Sequence, residues 1–193
     1  DFTVEAVYEV DNQNPLGARF RHNQSGFVLD LLRIQSVPQA FMWVNSHPVS
    51  DRGEPHTLEH LLLGKGTKGR YVASLEEMSL GNSSAFTAQL RTCYHFHTPA
   101  GSSVFFNLFY EKLDAMLHPN FSDEEIRREV RNMGITNDPV DGSLSLEEKG
   151  TVYNEMVSSF ERPWGNLYFE LGKMIYGHRS EEHTSELQSR ETI

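Results

Sequence analysis

The chain reads as an α+β protein, on two kinds of observation. Several short runs are β-prone, some with alternating polar and apolar residues, and end at proline or turn residues. Other runs carry apolar residues at helical spacing, between recognisable start and stop signals. At 193 residues the chain has the length of one domain, or at most two, and can bury a real core.

In chain order, Phe2–Val10 is β-prone, and Gly26–Ile34 and Ala40–Asn45 read as strands, punctuated by Pro38 and by the Ser46–Pro48 turn. Pro55 opens a short apolar helix through Leu61, Leu62 and Leu63, with Gly64 and Gly66 as stop signals. Tyr71–Leu80 is a second helix, closed by Gly81 and Asn82. Ser84–Thr98 is the best strand: Phe86, Ala88, Leu90, Thr92, Tyr94 and Phe96 alternate against polar neighbours until Pro99. Val104–Leu117 is an amphipathic helix stopped by Pro119. Ser122, with Glu125 three residues on, forms a capping box for a helix through about Val130. Asn137–Ser143 is turn-rich. Ser145–Phe160 carries Leu146, Val152, Met156 and Phe160 near helical spacing, with Gly150 weakening its first half. Trp164–Ile175 predicts a last helix.

Charge and cysteine content exclude some functions. Seventeen basic against 27 acidic residues give a formal charge of −10, which disfavours nucleic acid as a partner. No 18-residue apolar run predicts a membrane segment. A single cysteine, Cys93, forbids an internal disulfide and reads as a partly buried strand residue. His95 and His97 share a strand face but lack a third metal partner at useful spacing.

The feature with chemistry is His56-Thr57-Leu58-Glu59-His60. On a helix, His56 and His60 lie about 40° apart, and Glu59 falls within about 100° of both. Neutral imidazoles ligate Zn²⁺, and a carboxylate that does not bind the metal can take a proton from water. The order His-x-x-Glu-His is the inverted form of the zincin motif. An idle, solvated His/Glu cluster is the competing reading. The apolar helix favours burial, and buried His and Glu need partners.

A third ligand is sought in SLEEKGTVYNEM, where Glu148 and Glu155 stand seven residues apart and would share one helical face. One could complete a zinc site, and the other could orient a ligand histidine. Glu147 reads as solvated.

HTLEH, the following LLLGKGTKGR, SSAFTAQLRTCYHFHTPAG and KGTVYNEM together resemble the N-terminal catalytic domain of the M16 (pitrilysin/insulinase-type) metallopeptidases. The long gap between HTLEH and YNEM resembles the presequence-protease branch. The resemblance covers roughly residues 2–178. It implies a LuxS/MPP-like metallohydrolase fold, an antiparallel-rich sheet packed against helices, here truncated. It implies one Zn²⁺ per domain, held by His56, His60 and Glu155, with Glu59 as general base and Glu148 as an outer carboxylate. It implies a peptide substrate held as an added strand near Ser84, Ala85 and Phe86. Many members have Asn where Ser84 stands, so a hydroxyl replaces an amide there. The family also implies a partner: a second homologous half that closes the chamber, without which this piece is expected to be inactive. Asp1 in place of an initiator Met agrees with a piece of a longer protein, and the lack of a leader then says nothing of compartment.

Two other readings stay open. HTLEH also resembles the metal site of S-ribosylhomocysteine lyase, which needs a thiolate ligand and a second catalytic thiol, against the lone Cys93 here. A non-catalytic M16-type binding subunit would have lost motif residues that this chain keeps. From Arg179 the chain reads RSEEHTSELQSRETI, which has no apolar periodicity and resembles a translated sequencing adapter. Residues 1–178 are therefore expected to form the peptidase domain and 179–193 a non-native tail.

Overall fold

The computed structural model describes residues 1–11, 14–47, 53–88 and 90–176. Pro48 of the expected turn, the His178 boundary and the adapter-like tail lie outside the described residues. The described chain is α+β, with antiparallel sheets and helices, and it divides into two compact units, residues 1–37 and the chain from Pro38 onward.

The first unit is a three-stranded antiparallel meander of β1 (Phe2–Val10), β2 (Asn14–His22) and β3 (Val28–Leu32), in that order. The central strand, β2, has no clear signal in the sequence. Asn14, Pro15 and Gly17 look like turn residues, yet Pro15 sits near the strand start, and Gly17 is required by a close approach. A Cβ there would lie 2.1 Å from the Leu31 carbonyl oxygen. Side chains lace the three strands together. The Arg19 guanidinium donates to both Asp30 oxygens at 2.8 and 2.7 Å, and the Tyr8 hydroxyl donates to Asp30 over 2.7 Å. This fork holds the Asp30 carboxyl down at about 2, with Arg19 the main cause and Tyr8 the next.

The second unit is built on a sheet of order β4-β6-β5, with β4 (Gln39–Asn45), β5 (Asn82–Ala88) and β6 (Arg91–His97) all antiparallel. The run expected as one strand, Ser84–Thr98, is therefore a hairpin that pairs outward from Ala88 and Arg91. That pairing reverses the parity of the alternation. Phe86 shares a face with Cys93, and Thr87 shares the other face with Thr92.

Six helices are found among the described residues: α1 (Glu54–Leu62), α2 (Gly66–Met78), α3 (Ser102–Leu117), α4 (Asp123–Val130), α5 (Thr151–Glu161) and α6 (Pro163–Tyr176). Helix α2 starts five residues before the expected Tyr71, because Gly66 opens this helix rather than closing the previous one. Both halves of the Ser122/Glu125 capping box are formed. The stretch expected as one helix over Ser145–Phe160 is instead strand β8 (Leu144–Glu148), paired with β7 (Met133–Asn137), followed by α5. Gly150 separates them. A Cβ at that position would lie 2.9 Å from the Val130 carbonyl oxygen, so the chain can turn into α5 there only without a side chain.

The core lies between the sheet and α3. Phe96 is 1% exposed and stacks on Phe105 (ring centroids 4.9 Å, 10° apart) and on Phe109 (5.5 Å). Leu108 completes the cluster, with Ala40 and Met42 against it. Truncating a buried phenylalanine of this kind costs about 3–5 kcal/mol. Helix α2 is tied to α3 by the buried Lys112–Glu76 ion pair at 3.2 Å.

Candidate metal centre

Three side chains converge from two helices. His56 and His60 lie one turn apart on α1, and their Nε2 atoms are 3.2 Å from each other. Glu155 comes from α5, and its Oε2 lies 3.2 Å from His60 Nε2 and 3.6 Å from His56 Nε2. One donor atom from each residue falls within 4.8 Å of the others. His56 is 3% exposed, so its ring is fixed by packing.

This donor set fits a zinc ion. Two imidazole nitrogens and one carboxylate oxygen are the ligand types zinc takes in hydrolytic sites, with a fourth position left for solvent or substrate. The three residues line an open cavity of about 490 Å³, bordered also by Glu59, Lys65 and Ser84.

Glu59 sits on the same turn of α1 and is 5% exposed. Its Oε2 accepts a 2.6 Å hydrogen bond from the Thr87 hydroxyl on β5. Burial pushes the Glu59 carboxyl up. The Thr87 hydrogen bond and the two histidines oppose that push. Glu155 is held well below the usual carboxylate range, by His56 first and then His60. Reciprocally, Glu155 raises His60 above its ordinary value, against the opposing effect of burial.

The other expected residues fall in different places. Ser84 and Ala85 line the cavity from β5, whereas Phe86 packs edge-on against Trp43, with centroids 5.6 Å apart. Strand β5 is an edge of its sheet among the described strands. Glu148 does not share a helical face with Glu155, because it ends a strand. Its carboxylate accepts from the backbone amides of Asn132 (2.6 Å) and Gly150 (3.0 Å) and from Arg131 (3.1 Å). Cys93 is fully buried in β6, its thiol pushed up to about 11 by burial, and is not among the residues lining the cavity. The lyase-like arrangement, which needs a thiolate ligand, therefore lacks one.

Three residues at the site gave no signal in the sequence reading. Thr87 looked like one more position of a strand. Lys65 stands between Gly64 and Gly66, with nothing in the pattern to mark it. Glu129, on α4, looked like one charge among many in DEEIRREV, yet it is 2% exposed.

Comparison with known proteins agrees with the motifs. An uncharacterized protein of Saccharomyces cerevisiae is 32% identical over 140 residues, 69% of this chain and 13% of that protein. The mitochondrial presequence protease of Emericella nidulans is 32% identical over 168 residues, covering 80% of this chain. The chain belongs to the M16 metallopeptidases, in the presequence-protease branch. A presequence protease of Arabidopsis thaliana, chloroplastic and mitochondrial, is 28% identical over 170 residues, 86% of this chain. No family model matches the chain. The chain spans 13–17% of the length of the curated relatives it matches.

Proposed function

We propose that this chain carries the metal centre of a zinc-dependent metalloendopeptidase that cuts oligopeptides or unfolded segments, within a LuxS/MPP-like fold. The observation that carries this reading is the convergence of His56, His60 and Glu155 beside the buried carboxylate of Glu59.

In this reading His56, His60 and Glu155 hold one Zn²⁺. When bound, zinc acts as a Lewis acid that polarises the scissile carbonyl and makes water acidic enough to ionise near neutral pH. Glu59 takes the proton from the attacking water. Its burial supports that role, because a carboxyl raised toward neutrality is a better match to the proton it receives and later returns. Thr87 fixes the Glu59 oxygen that faces β5.

Substrate binding follows from the sheet. An extended peptide laid along β5 would pair with its main chain near Ser84, Ala85 and Phe86, gaining affinity without strict sequence preference. The Ser84 hydroxyl contributes a polar contact on the cavity side. The remainder of the protein, including a second homologous half, closes the chamber, so turnover belongs to the full-length protein and not to this piece.

The test is zinc stoichiometry and peptide cleavage on the full-length protein. One zinc at this site, with cleavage abolished by a chelator and restored by zinc, is the expected result. Cleavage that survives complete removal of the metal overturns the reading.

A further inference from the structure

Glu129 is a buried charge of the second unit that the proposed function does not use. It is 2% exposed, on α4, and its two oxygens have different surroundings. Oε1 lies 2.7 Å from the Lys65 ammonium. Oε2 is buried, has no hydrogen-bond partner among the described residues, and lies 3.4 Å from His60 Nδ1. A buried carboxylate oxygen left without a donor is costly. An oxygen in that state facing one ring nitrogen of a histidine has an evident complement, the N–H of that nitrogen.

We propose that Glu129 is a positioning residue for His60. It takes the Nδ1–H of the imidazole, sets the ring's tautomer, and leaves Nε2 with a free lone pair directed at His56 and Glu155. The inference rests on the zinc-site reading above and adds to it a residue outside the motif. It also replaces Glu148 in the outer role, since Glu148 is engaged with Arg131, Asn132 and Gly150. Lys65 completes the device. Its ammonium neutralises Glu129 and holds the carboxylate at the depth of the His60 ring. Outer carboxylates of this kind both orient a ligand imidazole and increase its basicity, so their loss weakens metal binding about 10–100-fold.

The chemistry of the replacement favours a clean test. Glu129→Gln keeps the side-chain shape, and the Lys65 ammonium it abandons is 40% exposed and can be hydrated. In the full-length protein, zinc affinity is measured by competition with a chelator, alongside the melting temperature of the metal-free form. The expected result is an affinity about 10–100-fold weaker in Glu129→Gln, with the metal-free melting temperature held within a few degrees. Equal affinity in variant and wild type overturns the inference, and so does a loss of affinity that merely follows a loss of folded protein. A second measurement needs no variant: imidazole nitrogen NMR of zinc-loaded wild type should show the His60 proton on Nδ1. A proton on Nε2 overturns the inference. Wild-type protein that takes up no zinc at all brings down the proposed function together with this inference. Zinc uptake with an indifferent Gln variant brings down the inference alone.

Discussion

The Thr87 hydroxyl donates a 2.6 Å hydrogen bond to Glu59 Oε2, joining the sheet to the helix that carries His56 and His60. Thr87 is fully buried, so the contact is shielded from water and stronger for it. Replacing it with the isosteric Val leaves Glu59 without a donor that opposes the upward push of burial. In the proposed mechanism Glu59 must be ionised to accept a proton, so a further rise in its pKa would move the acid limb of kcat/KM of the full-length protein to higher pH. Thr87→Val should lower activity on that limb by up to about tenfold per unit of movement. A pH–rate profile superimposable on wild type would count against the contact's role.

In the proposed mechanism, Glu59→Gln removes the proton acceptor and keeps the shape. Zinc content should be unchanged, because Glu59 is not among the three converging donors. Turnover should fall about 10²–10⁴-fold, the usual contribution of a positioned general base. Metal analysis and steady-state kinetics on the same preparation check both halves, and a variant with wild-type rates refutes the assignment.

Glu155 can be probed without metal. It is the leading cause of the raised His60 pKa. In metal-free Glu155→Gln the His60 titration should move down toward its ordinary value, and zinc affinity should fall. An unmoved His60 titration by NMR would mean that the two side chains do not meet in solution.

The first unit predicts an acid-sensitive feature away from the site. Asp30 is lowered to about 2 in the folded state, chiefly by Arg19. A depressed folded pKa contributes stability above the unfolded value of about 4. The contribution is lost as pH falls through about 2. Wild type should therefore lose its stability advantage over Asp30→Asn between about pH 4 and pH 2. A stability difference constant across that window would dismiss the linkage.

Cys93 should be inert. With the side chain fully buried and the thiol pushed up to about 11, alkylating reagents at neutral pH should modify it only after unfolding. Rapid labelling of the native protein would reopen a thiol-dependent chemistry.

Most of the site's first ring of residues was legible because its pattern is local. His56, Glu59 and His60 sit on one turn, and Pro55 marks the helix that carries them. Glu155 was legible for a partly mistaken reason, since the helix expected to carry it begins only at Thr151. The seven-residue spacing to Glu148 looked helical because Leu146 and Val152 happen to keep the period across a strand-to-helix boundary. The β5–β6 hairpin was hidden by alternation that runs on through Leu90 without a glycine, proline or asparagine. Glu129 was illegible in principle. Nothing in DEEIRREV distinguishes a charge buried against His60 and Lys65 from charges facing water, because burial is decided by elements distant in sequence.

The spacing of the donors along the chain has a consequence for biosynthesis. His56 and His60 are present as a pair as soon as α1 forms, but Glu155 and the hairpin and helix that deliver it leave the ribosome much later. A partly synthesised chain thus holds two of the three converging donors and no finished site. In the proposed reading, binding of a metal by all three donors therefore waits until α5 has seated against α1.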